Sequence, residues 1–538
     1  MTVACRRDFL KALGASVAAM VLPRGLAAAE SAAPGAPRRP NLLVLHTDEH
    51  NFRTLGCYRA LLAPEHAFVW GPGVAVETPN IDWIARNGAI ADRFYASSPV
   101  CTPSRAAFVS GRFPQNTGAP VNDVPMRDDV VTFAEALRRS GYATGYAGKW
   151  HVDGPAKPGW APARKFGFDD NRYMFNRGHW KQLEDTPSGP RVKAMDAKGQ
   201  PTYNVQGADE RSFTTDFLAS KTIEFIRAHK DRPFCYMVSF PDPHGPNTVR
   251  PPYDTMFDHL KFQMPASGRS AGEGLPAWAR PPAGAAMENM SKYFGMVKCI
   301  DDNAGRILAA LRESGLVDRT IIVFTSDHGD MCGEHGRVNK GVPMEASARI
   351  PLLVYYPGRI KPGTVVREAI ANADFKPTIL GLMGVPGDGR DEGRDASAIF
   401  LGARPPGWKD VAFSRHAGGQ WLMAVSSRYK LVLSADGEPG LFDLDRDPLE
   451  MRNLFHLPES REIIRDLARS LADHSRRFNE PNAEQPGIRE DLAWAAEGTG
   501  PYVPSNREGA RGEAAGKRAA RKGAKGKARA ADDADDSK

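Results

Sequence analysis

Apolar and polar positions alternate along this chain in two rhythms that together outline a layered fold. Asn41-Leu-Leu-Val-Leu-His46 is a short apolar run that stops at Thr47-Asp48-Glu49-His50, the pattern of a buried strand presenting acids at its C-terminal end. Thr78-Pro79-Asn80 followed by Ile81, Ile84, Ala85 and Gly88 predicts a helix with an apolar stripe and a glycine stop. A second helix is predicted over Val131 to Arg139, with a strand returning over Tyr142 to Tyr146. Phe217 to Arg227 is helical in spacing and leads into the apolar run Phe234 to Phe240. The same order recurs with Gly305 to Ser314 as helix, Thr320 to Thr325 as strand, and Ser326-Asp327-His328-Gly329 at its tip. Helix, buried strand and polar tip in repetition predict an α/β fold, a large mixed sheet sandwiched by helices.

Segments 152–210 and 241–290 are rich in Pro and Gly without clear periodicity, which suits pocket walls better than plain connectors. Beyond about 405 the texture changes. Val411 to Ser414, Trp421 to Ser426, Tyr429 to Leu433 and Gly440 to Leu444 are short strands separated by turn signals, followed by a helix around Ser460 to Phe478. The expected organisation is a leader over 1–29, a linker over 30–40, a main domain over 41–404, a smaller C-terminal antiparallel subdomain packed by a helix over 405–490, and an extension over 491–538 ending in a disordered charged tail.

The 538 residues, 41% hydrophobic, are enough for a large core and exclude a purely disordered or fibrous chain. The formal charge of +7 is concentrated at the ends. Residues 1–40 hold six Lys or Arg against two acids and residues 507–538 hold ten against six, so 41–506 carries a net −1. Nothing in that balance supports a nucleic-acid partner. Arg6-Arg7-Asp8-Phe9-Leu10-Lys11, an apolar stretch from Ala12 to Leu22 and the small residues Ala27-Ala28-Ala29 read as a twin-arginine signal. The twin-arginine translocation machinery is therefore an expected partner, with a periplasmic or secreted destination and no integral membrane span. Six widely scattered cysteines give neither a disulfide scaffold nor paired zinc spacing, and Cys235 and Cys299 suit buried inert positions.

Two strand tips, Asp48-Glu49 and Asp327-His328, place carboxylates where they must either repel or share a cation. Oxygen donors with one imidazole favour calcium, or magnesium or manganese, over zinc. Cys101-Thr102-Pro103-Ser104-Arg105, followed by Gly111-Arg112, resembles the signature of the formylglycine-dependent sulfatase family within the alkaline-phosphatase-like superfamily. Gly148-Lys149-Trp150-His151, Pro243-His244, Asp327-His328-Gly329-Asp330, Gly333-Glu334-His335-Gly336 and Lys340 extend the resemblance. So do Lys430-Leu431, Leu441-Phe442-Asp443-Leu444, Asp447-Pro448, Glu450 and Asn453-Leu454.

That resemblance implies hydrolysis of a sulfate monoester of a sulfated small molecule or saccharide. Cys101 would be oxidised to formylglycine by a formylglycine-generating or other sulfatase-maturating enzyme, and its hydrated aldehyde activated by a divalent cation, calcium first. The implied metal set is Asp48, Glu49, Cys101, Asp327 and His328, with Glu49 the departure, because the family shows Asp or Gln there. Arg105 is expected to orient the nucleophile, Lys149 and Lys340 to hold sulfate oxygens, His151 to release the product, and His244 to protonate the leaving group. His335 is expected to orient the metal segment, to help at the leaving group, or to be structural. Tyr173, His179, Trp180 and Trp421 are candidates for a sugar or aryl pocket. A phosphonate monoester or phosphodiester hydrolase using the same groups is the alternative, and an inactive sulfated-glycan-binding protein a minor one.

Overall fold

The computed structural model describes residues 39–504; the expected leader, most of the linker and the charged tail lie outside the described residues. Asn41–Asp48 (β1) is a fully buried strand at the middle of an eight-stranded sheet. The other strands are Ala89–Ala91 (β2), Ala143–Lys149 (β3), Asp170–Phe175 (β4), Phe234–Pro243 (β5), Thr320–Ser326 (β6), Leu352–Tyr355 (β7) and Thr364–Val366 (β8). Their order is β8-β2-β7-β6-β1-β5-β3-β4. β6, β1, β5, β3 and β4 run parallel, whereas β7 is antiparallel to both its neighbours. Five parallel strands release their C-terminal ends at one edge, so Asp48, Lys149, His244 and Asp327 converge although they are far apart in sequence.

Alternation along β1 explains the sandwich. Leu42 and Val44 point into one apolar layer with Phe108, Phe133, Met237, Val323 and Phe375; Leu43 and Leu45 point into the opposite layer with Phe217, Val238, Ile300, Ile307 and Phe324. Helices Cys101–Ser110 (α2), Phe133–Arg139 (α3) and Phe375–Met383 (α6) cover the first face. Pro79–Asn87 (α1), Thr214–Ala228 (α4) and Met290–Glu313 (α5) cover the second. Each fully buried Leu, Val, Ile or Phe contributes about 1.5–3 kcal/mol, and these two layers hold most of the core.

The expected α/β class is present, with local differences. α5 opens at Met290, one full segment earlier than the helix expected from Gly305. Gly295 and Gly305 interrupt its apolar stripe because a Cβ there would lie 2.4 Å from the Tyr253 carbonyl oxygen or 2.7 Å from the Asn80 side chain. Segment 152–210 is not all loop: it contributes the sheet-edge strand β4 and a hairpin, Leu183–Thr186 with Gly189–Val192.

Near the C-terminus, Ala412–Arg415 (β9), Trp421–Val425 (β10), Tyr429–Ser434 (β11) and Gly440–Asp443 (β12) form an antiparallel sheet in sequence order. Leu422, Ala424, Leu431 and Leu433 pack beneath Arg461–Arg477 (α7) and Pro486–Glu497 (α8), through Ile464, Leu467, Leu471, Ile488 and Leu492. The expected limit at 490 falls inside α8. The opposite face meets Met344, Ala346 and Ala348 of the main body. No described helix is long and apolar enough to cross a membrane.

Candidate active site

α2 starts with Cys101 itself, and every one of its ten residues is buried. Ser104 Oγ donates to the Asp327 carbonyl, and Asn372 Nδ2 bonds Ser104 Oγ at 2.8 Å, which fixes the first turn of α2 against the tip of β6. The Cys101 thiol, 3% exposed, consequently lies 3.2 Å from His328 Nε2, 3.8 Å from Lys149 Nζ and 3.9 Å from Asp48 Oδ1.

Asp48, Cys101, Asp327 and His328 each offer one ligand atom, and these atoms all lie within 4.8 Å of one another. His328 Nδ1 donates to the Gly329 carbonyl at 3.1 Å, which turns Nε2 toward the two carboxylates, 3.6 Å from each. Two buried carboxylates and an oriented imidazole fit a divalent cation with oxygen-rich coordination.

Arg105 and Lys149 hold the acids. Arg105 Nε lies 2.8 Å from Asp327 Oδ2 and its Nη2 3.4 Å from Asp48 Oδ2, while Nη1 donates to the Lys149 carbonyl and to Ser239 Oγ, both at 2.8 Å. Lys149 Nζ is 2.6 Å from Asp48 Oδ2. Burial alone would raise the Asp48 carboxyl, but Lys149 and Arg105 keep it well below the usual range. Gly148, at φ +104°, lets β3 lie against β5 so closely that a Cβ would stand 1.9 Å from the Ser239 carbonyl oxygen.

Glu49 stands outside the four-ligand group. Its backbone adopts φ +59° and its carbonyl accepts from the Tyr293 hydroxyl. Glu49 Oε2 lies 2.9 Å from His244 Nε2 and 3.0 Å from Lys340 Nζ. Burial opposes its charge, yet His244 and Lys340 bring its pKa down to about 2. His244 Nδ1 donates to the Gly245 carbonyl at 2.9 Å and Lys340 Nζ lies 2.7 Å from Nε2. Glu49, His244 and Lys340 therefore form a second cluster. The Lys340 loop is held from the C-terminal sheet, where Trp421 Nε1 donates to the Gly341 carbonyl and Lys430 Nζ to that of Pro343.

His179 joins the two clusters and carries no motif. Its ring stacks on His244 with centroids 3.5 Å apart, and its Nε2 lies 2.6 Å from Lys149 Nζ. Burial, then His244 and Lys149, keeps this imidazole neutral well below its ordinary pKa. His179, expected only as a pocket residue, thus touches the cationic groups themselves, and Asp123 is the residue that sequence reasoning missed: its carboxylate meets His151 Nε2 at 2.9 Å. For His335 the geometry fits the structural alternative, because its Nδ1 and Nε2 are bound to the carbonyls of Ala279 (2.8 Å) and Leu449 (3.0 Å). Trp180 and Trp421 are buried packing residues, and Tyr173 Oη is bound to Asp185. Cys57, Cys101, Cys235, Cys299 and Cys332 are all free thiols.

The family model described as Sulfatase matches residues 40–385, from the first residue before β1 to the end of α6. The chain belongs to the sulfatase family. A second match, to the C-terminal part of N-sulphoglucosamine sulphohydrolase, covers residues 333–477 of this sulfatase. Among curated relatives, the N-acetylglucosamine-6-O-sulfatase of Bacteroides thetaiotaomicron is 25% identical over 83% of this chain and 88% of its own. The arylsulfatase of Clostridium perfringens is 28% identical over 74% and 89%. Among solved structures, the phosphonate monoester hydrolase of Agrobacterium radiobacter shares the fold with a TM-score of 0.63 and 24% identity, covering 82% of this chain and 96% of that one. The sulfatase is a sulfuric ester hydrolase with an alkaline-phosphatase-like fold.

Proposed function

We propose that this enzyme hydrolyses a sulfate monoester of a carbohydrate, using residue 101 as formylglycine and a bound divalent cation, calcium first. The convergence of Cys101, Asp48, Asp327 and His328 at one sheet edge carries the reading, because it sets a modifiable side chain among hard ligands. The cation would polarise the oxygens bound at residue 101 and at the sulfur.

This chain's own residues supply the rest. Arg105 keeps Asp48 and Asp327 apart and aligned. Lys149 and Lys340 are the cations that meet sulfate oxygens, where added negative charge in the transition state strengthens their hold. His244, fixed by Gly245 and flanked by Glu49, is the group that hands a proton to the departing alcohol through Nε2. His151 takes up the proton whose removal frees the product. The low pKa of Glu49 keeps a negative charge 2.9 Å from His244 Nε2.

A saccharide substrate is supported by the naming of the N-acetylglucosamine-6-O-sulfatase relative. Export through a twin-arginine signal rests on Arg6-Arg7 and the apolar stretch after them, and implies maturation of Cys101 before export. Peptide mass spectrometry across residue 101, with iodoacetamide present, tests the nucleophile. Loss of about 18 Da without alkylation supports it, and a fully alkylatable Cys101 in the active enzyme refutes it. Sulfate and phosphodiester turnover measured side by side then separates this reading from a phosphonate or phosphodiester hydrolase.

A further inference from the structure

We propose that Asp123 is a positioning residue for His151, holding the imidazole with its proton on Nε2 and leaving Nδ1 as the proton-accepting atom. The inference rests on the reading of His151 as the group that takes up a proton at residue 101.

The geometry is local to the start of α2. His151 Nε2 lies 2.9 Å from Asp123 Oδ1, and a carboxylate oxygen accepts, so the proton of the neutral ring sits on Nε2. His151 Nδ1 is buried and has no hydrogen-bond partner. A buried ring nitrogen left open in this way suits an atom that waits for a proton from a reacting group. Thr102, the residue after Cys101, ties both partners to the helix start. Its Oγ1 donates to the His151 carbonyl at 2.7 Å, its backbone N–H donates to Asn122 Oδ1 at 3.0 Å, and its Oγ1 accepts from the Asp123 backbone N–H at 3.4 Å. Asp123 and His151 both adopt the left-handed backbone region, at φ +65° and +61°, which non-glycine residues rarely enter. Arg177 Nε ion-pairs with the same Asp123 oxygen at 3.0 Å.

A carboxylate behind an imidazole does two things. It selects the tautomer, and it stabilises the imidazolium once the ring has accepted a proton. Removing it should therefore slow turnover more than it weakens binding.

The test pairs a structural readout with kinetics. The ring 15N shifts of His151 are recorded in protein made with Cys101 unmodified and assigned by their loss in His151→Gln. Native protein should show an unprotonated Nδ1 and a protonated Nε2, and Asp123→Ala should mix the tautomers. With 4-nitrophenyl sulfate and mature enzyme, Asp123→Ala should lower kcat about 10- to 100-fold with KM within about threefold, and Asp123→Asn, which keeps an acceptor oxygen, should recover part of that loss. A proton on Nδ1 in the native protein, or ring shifts unmoved by Asp123→Ala, overturns the proposal whether or not residue 101 becomes formylglycine. A variant that changes only KM or only thermal stability also overturns it. An alkylatable Cys101 in active enzyme would refute the formylglycine reading while leaving the tautomer result standing.

Discussion

Replacing Gly148 by Ala adds one methyl group at the tightest point behind the active site. The new Cβ would lie 1.9 Å from the Ser239 carbonyl oxygen and 2.8 Å from its carbon, both backbone atoms that no rotamer change can move. Reaching ordinary contact requires β3 and β5 to part by about 1.5 Å, and overpacking of that kind costs about 1–3 kcal/mol. Holding a non-glycine residue at φ +104° adds about 1–2 kcal/mol. The sum is about 2–5 kcal/mol, read as a lower midpoint in urea unfolding at unchanged slope. Activity should fall further than stability explains. Ser239 Oγ accepts from Arg105, and Lys149 is the next residue, so parting the strands displaces both cations that hold Asp48. Turnover at saturating substrate and at a temperature where the variant is folded should drop at least about 100-fold, the effect expected of misplaced charge-stabilising groups. A variant within about 0.5 kcal/mol of the parent, turning over at the parent rate, would show that this contact neither strains the sheet nor positions the site.

Chelation should lower both turnover and thermal stability, because a ligand of the native state alone stabilises by about 2.7 kcal/mol at 100 times its dissociation constant. Calcium should restore both, and Asp327→Ala should abolish the calcium-dependent shift in Tm; a Tm indifferent to chelator and calcium argues against a resident ion. A third expectation concerns His474, stacked on Phe413 at 4.0 Å and edge-on to Phe113 at 4.4 Å. Burial, helped by Arg394 and Arg477, lowers its pKa to about 3. The folded state thus keeps the ring neutral while the unfolded chain takes a proton below about pH 6.5, so stability is present above that pH and is lost as pH falls toward 3. The slope from this group approaches about 1.4 kcal/mol per pH unit. His474→Leu should flatten the measured dependence of unfolding free energy on pH between 6 and 4 by up to that amount, and equal slopes for parent and variant would refute the burial argument.

The central strands were legible because each reads as an unbroken apolar run with a polar tip, and a parallel sheet turns that pattern directly into a site. β4 was not: Asp170-Asn-Arg-Tyr-Met-Phe175 is an edge strand with charged outward positions, so its alternation is lost in the polar segment around it. α5 was shortened because two glycines chosen for close approach break its stripe. Within the site, motif residues could be placed because they sit at strand ends and at the start of α2. Asp123 could not, and His179 was expected only as a pocket residue, since each acquires its role from a partner on another loop, His151 in one case and His244 in the other. Glu49 was assigned by adjacency to Asp48, but a left-handed backbone at that residue sends the side chain to a different pair of cations.

The burial of Cys101 also sets a clock. Its thiol is closed in by His328, and 227 residues of chain separate the two. At about 5–20 residues per second, a ribosome takes roughly 10 to 45 s to add them. During that interval the Cys-Thr-Pro-Ser-Arg stretch has emerged while its covering strand tip has not yet been made. Under the formylglycine reading proposed above, an oxidising enzyme that needs this stretch uncovered would have its opportunity then. Slower synthesis, or a chaperone that delays docking of β6 beside β1, would lengthen the opportunity; fast folding would shorten it. On that reading, the fraction of active molecules in a preparation would be a kinetic outcome of chain elongation against sheet closure, decided before the protein is complete.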